Sequence, residues 1–183
     1  MRWFGLLAVI SLAGCASVEP VSPPRAQTLM EAFHLTGRVA VRNGPDGFSG
    51  SLDWQHQAER DELLISGPLG QGAARIVRNA DGVMLELPDQ PPRYAADAET
   101  LTQSTLGFPL PLAGLPYWVQ AQPYRAAQQT HTPEGNVATL AEAGWQIEYL
   151  NYRDVGARQL PGKVFMEAGE LRLKLIIDEW QAP

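Results

Sequence analysis

Short runs of strict alternation dominate this chain and restrict it to folds built from antiparallel strands. The clearest run sets Leu171, Leu173, Leu175 and Ile177 against Arg172, Lys174 and Ile176. A period of two places one set on each face of a strand. Phe33, Leu35, Val39 and Val41 alternate in the same way, with Gly37 between them. Phe48, Gly50, Leu52 and Trp54 alternate with Ser49, Ser51 and Asp53. The pattern predicts further strands over 62–66, 73–78, 83–87, 136–142, 145–152, 163–168 and 170–178. Asn43-Gly44-Pro45-Asp46-Gly47 and Asn79-Ala80-Asp81-Gly82 are turn sequences, so the first five strands read as a meander. One antiparallel sheet of nine or more strands tends to curl or close. Periodicity leaves open whether the enclosed space is filled by side chains or free for a ligand.

Helices interrupt the strands. A short leading helix is expected over Arg25 to Ala32. Asp97 is a natural N-cap, Glu99 adds a favourable first-turn charge, and Leu101 and Leu106 precede Gly107, which predicts a second helix. Pro109 and Pro111 break the chain. A further short helix is expected within Leu112 to Gln120, despite Pro116.

The first residues are of another kind. Arg2 precedes an apolar run of 11 residues, Trp3 to Ala13, that ends in small side chains. This is the pattern of a secretory signal peptide. The run falls short of the about 20 residues a membrane-spanning helix needs. Leu12-Ala13-Gly14-Cys15 resembles the lipobox of bacterial lipoproteins. The resemblance implies cleavage after residues 1–14, three acyl chains on Cys15 and anchorage in a membrane. The alternative is a cysteine that follows an ordinary signal peptide by chance. Cys15 is the only cysteine, so no thiol remains for a disulfide or a thiolate metal site. Residues 15–24 contain three prolines and read as an extended tether, about 3 Å per residue. Residues 25–183 read as a single domain without an internal repeat.

Little in the composition favours catalysis or nucleic acid. The chain has 14 Lys+Arg against 20 Asp+Glu, a formal net charge of −6, and no basic cluster of the kind that binds nucleic acid. His34, His56 and His131 are scattered and lack metal-ligand spacing. Gly67, Gly70 and Gly72 do not form a phosphate loop, and no G-x-S-x-G elbow is present. No catalytic residue, cofactor or metal is expected.

A spread of weak motifs remains. Gly37-Arg38, Trp54, Gly67-Pro68-Leu69-Gly70 and Gly82-Val83 are followed by Leu106-Gly107-Phe108-Pro109-Leu110-Pro111, Leu115 and Trp118. Gly144-Trp145, Tyr149, Tyr152, Leu160-Pro161 and Trp180 complete the series. In order and spacing, from Phe33 to Trp180, it resembles the LolB family of outer-membrane lipoproteins. One departure is Ala121, where that family usually has glycine, and it bears on how the helix around Trp118 ends. The resemblance implies an incomplete antiparallel β-barrel of about nine to eleven strands, mainly β, with short helices covering an apolar cavity. It implies an outer-membrane lipoprotein, facing the periplasm from the inner leaflet, that takes acylated lipoproteins from the periplasmic carrier LolA and inserts them into that leaflet. Its partners would be LolA, the acyl chains of cargo and outer-membrane phospholipid, and it would act as a monomer. Each buried CH₂ is worth about 0.8 kcal/mol, so acyl chains must pass directly between apolar shelters. The rival reading is a scaffolding lipoprotein with a packed β core and no transfer activity.

The residues expected to matter follow from both sources. Ala16, after the lipidated cysteine, implies sorting to the outer membrane. Val39, Leu52, Trp54, Leu64, Trp145, Ile147, Leu173 and Leu175 are candidates for the cavity wall, with Leu106, Leu110 and Trp118 from the helical cover. Leu69 stands alone among Gly67, Pro68 and Gly70 in a loop. It either folds back onto the rim or, as the resemblance implies, protrudes to enter the membrane.

Overall fold

The computed structural model describes residues 28–67 and 73–182. Thirteen strands and two helices follow one another: β1 Ala32–Asn43, β2 Asp46–Gln57, β3 Arg60–Ser66, β4 Ala73–Asn79, β5 Gly82–Glu86, β6 Arg93–Ala95, α1 Ala98–Leu106, α2 Leu115–Trp118, β7 Gln128–His131, β8 Val137–Glu142, β9 Trp145–Leu150, β10 Arg153–Val155, β11 Arg158–Leu160, β12 Lys163–Ala168 and β13 Leu171–Gln181. The expected signal segment and tether lie outside the described residues. So does most of the expected leading helix. Thr28 to Glu31 are not helical, and Ala32 already opens β1.

Eleven strands form one antiparallel sheet in the order β6-β5-β4-β3-β2-β1-β13-β12-β9-β8-β7, and β10 pairs with β11 separately. This is the mainly β architecture that the alternation implied. The first meander spreads out from β1 on one side and the last strands from β13 on the other. The β1–β13 pairing, from His34↔Gln181 to Asn43↔Leu171, joins the halves. The sheet is open, with β6 and β7 as its edges. The chain leaves the first edge at Ala95 and reaches the other at Gln128, so residues 96–127 must cross the sheet. That crossing carries both helices.

Five connections gather at one end of the sheet: β1–β2 beyond Asn43↔Asp46, β3–β4 beyond Ser66↔Ala73, β5–β6 beyond Leu85↔Arg93, β8–β9 beyond Glu142↔Trp145 and β12–β13 beyond Ala168↔Leu171. The chain enters β1 at the opposite end. At the β8–β9 turn Ala143 (φ 49) and Gly144 (φ 86) are both left-handed, as a two-residue type I′ turn requires.

The pairing slips by one between Thr36 and Gly37, which leaves Asp178 as an extra residue in β13. This bulge changes the parity of the strand. Leu173, Leu175 and Ile177 point inward before it, and Trp180 does so after it. Bulge and glycine belong together, because a Cβ at Gly37 would lie 2.3 Å from the Ile176 carbonyl oxygen.

Several expectations need correction. The last strand extends to Gln181 because the bulge lets it continue. The strand expected over 145–152 stops at Leu150, where Asn151 takes a left-handed backbone (φ 57). β6, β7, β10 and β11 were not expected; each has three or four residues and lacks alternation. The helix expected over 112–120 shrinks to Leu115–Trp118. Pro116 sits in its first turn, where its missing N–H costs nothing. Just beyond, Ala121 has a left-handed backbone (φ 56), the conformation that glycine adopts most easily. α1 forms as expected: Asp97 accepts from the Thr100 amide at 2.7 Å, and Gly107 caps the other end at φ 86.

Candidate functional site

The concave face of the sheet is apolar because one parity of each strand faces it. Val39 and Val41 of β1, Leu52 and Trp54 of β2, Leu63 and Ile65 of β3, Ile76 of β4, Met166 of β12 and Leu173 and Leu175 of β13 line a cavity of ≈ 50 Å³. Leu106 of α1 and Phe108, Leu110, Leu115 and Val119 of the crossing segment close it, and Phe48 stands at its rim. Lys174 also borders this space, but it lies between the inward-facing Leu173 and Leu175 of β13, so its exposed side chain belongs to the outer face and not to the apolar wall.

Seven of the expected wall residues therefore meet around one space: Val39, Leu52, Trp54, Leu106, Leu110, Leu173 and Leu175. Leu64 does not. It is 40% exposed on the outer face, because Trp54 pairs with Leu63 and Leu52 with Ile65 across β2 and β3. Trp118, Trp145 and Ile147 are buried but lie apart from this cavity. Trp118 and Trp145 pack against each other, ring centroids 5.6 Å apart. They fill the β8–β9 side of the concave face, under the crossing segment. Leu63, Ile65 and Ile76 were missed. Extending the inward parity of Leu52 and Trp54 through the hairpin to β3 would have found the first two.

The cover is held by few bonds. Thr102 of α1 donates to the Ala98 carbonyl at 2.7 Å and accepts from the Leu110 amide at 2.8 Å, so helix and following segment move together. Across the opening, Asn43 donates to the Gly107 carbonyl at 3.0 Å, and the Phe48 and Phe108 rings lie 6.1 Å apart. Phe48 is 39% exposed. On the far side the cover is fastened more firmly. Buried Glu142 accepts from the Trp118 indole at 3.1 Å and from the Tyr124 and Arg125 amides at 2.9 Å each. Gln120 binds both the amide and the carbonyl of Met30. The cover is thus anchored on the β8 side and lightly latched over β1 and β2.

A buried polar cluster floors the end opposite the turns. Asp61 accepts from the Trp54 indole at 3.0 Å, from His56 at 2.7 Å and from Arg78. Burial pushes the Asp61 carboxyl up, but the His56 hydrogen bond and the Arg78 charge outweigh it and hold the carboxyl below its ordinary value. All three histidines lie in strands: His34 in β1, His56 in β2 and His131 in β7. Among the described residues no group of three or more His, Cys, Asp or Glu could hold a metal ion, and no helix is long and apolar enough to cross a membrane.

Of the expected loop, only Gly67 is described. Cys15, Ala16, Pro68, Leu69 and Gly70 lie outside the described residues. Their neighbours Ser66 and Ala73 pair at the end where the other turns gather.

A curled, open antiparallel sheet with an apolar concavity under a short helical cover defines a class of proteins built around an apolar interior. The comparisons narrow it. The family described as outer membrane lipoprotein LolB matches residues 31–180. The outer-membrane lipoprotein LolB of Thiobacillus denitrificans is 42% identical, with 100% of this chain and 99% of the relative covered. That of Nitrosococcus oceani is 34% identical, with 99% of each covered. Among solved structures, a LolA superfamily protein from Nitrosomonas europaea matches with a TM-score of 0.49 at 11% identity, covering 86% of this chain and 88% of that one. The chain belongs to the LolB family of outer-membrane lipoproteins. Membership places it at the outer membrane and in lipoprotein localisation, as the motif series implied.

Proposed function

We propose that this protein accepts acylated lipoproteins from the periplasmic carrier LolA and inserts them into the inner leaflet of the outer membrane. The observation that carries this reading is the concave face itself. Six strands and the crossing segment turn apolar side chains onto one space, beneath a cover latched over β1 and β2 by the Asn43 side chain. At ≈ 50 Å³ the space is too small to take up an acyl chain as it stands. Acyl chains therefore enter by lifting the cover. Lifting it exposes Leu106, Phe108 and Leu110, and an arriving chain covers them again, so loading needs no nucleotide and runs on relative affinity.

Delivery falls to the β3–β4 loop. Leu69 enters the bilayer from the loop it shares with Gly67, Pro68 and Gly70. Burying one leucine gains roughly 2 kcal/mol, which biases docking and stays reversible. Cys15 carries three acyl chains, residues 1–14 are removed, residues 15–24 form the tether and residues 25–183 form one monomeric domain. The chain enters β1 at the end far from the loop. Thirteen residues, Cys15 to Gln27, reach about 45 Å when extended, and β1 is about 40 Å long. Anchor and loop can therefore meet the same membrane.

The small cavity favours one rival, a scaffolding lipoprotein whose core is simply packed. One experiment separates the two. The unacylated mature chain (Cys15→Ser) is mixed with the carrier loaded with an acylated lipoprotein, and the distribution of cargo is followed by gel filtration. Transfer to this chain is expected. Cargo that stays on the carrier at every ratio would support the scaffold.

A further inference from the structure

We propose that the outer face of β1, β2 and β13 carries a binding site for the phosphates of anionic phospholipid headgroups, next to the β3–β4 loop. The proposal rests on the reading that this loop enters the membrane. Alternate residues there are small, and Ala40, Ser49 and Ser51 leave two depressions of ≈ 330 and ≈ 530 Å³ that share Ala40, Ser49 and Lys174. Arg38, Arg42, Arg172 and Lys174 stand around this trough. They are its only charged lining residues, and all are cationic, in a chain of net charge −6.

The arrangement is costly without an anion. Arg42 and Arg172 face each other directly across β1 and β13, and like charges so placed destabilise a sheet. Arg38 and Arg172 have solvent-exposed partners, Asp178 at 3.0 Å and Glu167 at 3.3 Å. Exposed pairs of this kind are weak and readily exchanged. Among the described residues Arg42 and Lys174 make no ion pair. The Lys174 ammonium lies 5.3 Å from the centre of the Phe165 ring.

Position identifies the anion. Gly50 lines the trough, and a Cβ there would fall 2.2 Å from the Ser66 carbonyl oxygen and 3.5 Å from the Gly67 amide nitrogen. The trough thus abuts the root of the loop, and no more than about 7 Å of chain separates Gly67 from Leu69. A molecule with Leu69 in the acyl layer holds the trough at headgroup depth. Overall acidity repels the chain from an anionic leaflet, and this local patch reverses the sign where contact occurs.

The test is sedimentation of the mature Cys15→Ser chain with vesicles of phosphatidylcholine alone or with one quarter phosphatidylglycerol, at low and at physiological salt. Binding is expected to be tighter to the anionic vesicles, with the difference shrinking as salt rises. Arg42→Glu/Lys174→Glu should lose that preference by on the order of tenfold, and the milder Arg42→Gln/Lys174→Gln should lose part of it. Leu69→Glu should keep the salt-sensitive preference while losing insertion. A double variant that binds anionic vesicles like its parent overturns the proposal. So does a parent that does not distinguish the vesicles. A double variant that fails to take cargo from the carrier without vesicles assigns the trough to a protein partner and overturns it too. Undiminished delivery by Leu69→Glu, with the preference still lost in the double variant, would remove the role of the loop and leave the headgroup site standing.

Discussion

The indole of Trp54 donates to the carboxylate of Asp61 at 3.0 Å, so a wall residue of the cavity is oriented by a fully buried charge. The same carboxylate takes bonds from His56 and Arg78, and Phe33 packs edge-on against Trp54 at 5.1 Å. Apolar wall and polar floor are therefore one unit. Removing the carboxylate leaves the Trp54 N–H and the Arg78 charge without their partner. Asp61→Ala is expected to cost about 3–5 kcal/mol, read from urea unfolding.

The same group sets an acid limit. The His56 hydrogen bond and the Arg78 charge hold the folded-state pKa of Asp61 below its ordinary value, so its stabilisation is complete above that ordinary value. It is lost as pH falls through the folded pKa, because the unfolded chain binds the proton first. Unfolding free energy of the parent should drop as the pH falls below about 5, and the drop should be shallower in Asp61→Asn. Parallel curves for the two proteins would place the acid sensitivity elsewhere.

Register is tested by neighbours. Leu63 is buried in the wall, and Leu64 is 40% exposed outside it. Leu63→Ala should cost about 2–4 kcal/mol and change the affinity for an apolar fluorescent probe. Leu64→Ala should cost under about 0.5 kcal/mol and leave probe binding as it was.

That pair also shows how far the sequence could be read. Alternation in β1, in β2 and in β13 as far as Ile177 was unbroken, so their inward residues were legible. In β3 the run Glu62-Leu63-Leu64-Ile65 contains no alternation, and only the partner strand decides which leucine faces in. Trp118, Trp145 and Ile147 were legible as buried. That they lie apart from the cavity depends on where residues 96–127 cross, which no local pattern records. The short edge strands β6 and β7 owe their form to hydrogen bonding with β5 and β8, and nothing in their own residues announces it. Ala121 takes the left-handed conformation without glycine, so the helix around Trp118 ends there on a residue that disfavours that conformation.

The Asn43 latch and the Thr102 brace within the cover should respond differently. Asn43→Ala removes the exposed bond to Gly107 and should cost under about 1 kcal/mol while speeding uptake of an apolar probe in stopped flow. Thr102→Val strands the Leu110 amide beside a buried position and should cost about 1–3 kcal/mol. Equal uptake by Asn43→Ala and its parent would mean that the opening lies elsewhere.

Anchoring and sorting depend on two adjacent residues. Cys15→Ala should abolish labelling by radioactive palmitate and release a folded domain into the periplasm. Ala16→Asp should keep the label but move part of the protein to the inner membrane in density fractionation. An unlabelled parent would remove the anchor, and an unchanged distribution of Ala16→Asp would remove the sorting role of this position.

Leu69 distinguishes acceptance from delivery. Ser66 and Ala73 fix the ends of its loop at the rim of the sheet, outside the cavity wall, so a charge at position 69 should leave both stability and loading intact. It should abolish the roughly 2 kcal/mol gained by burying a leucine in lipid, which amounts to about a thirtyfold loss of membrane engagement. Leu69→Glu is therefore expected to take cargo from the carrier at the parental rate and retain it when liposomes are added. Loaded mutant should accumulate in flotation assays, while the parent passes cargo into the floating fraction. Leu69→Ile, which keeps the apolar area, should restore delivery. If Leu69→Glu passed cargo as fast as the parent, the loop would have no part in insertion, and the burial of its leucine against the rim would be its whole role.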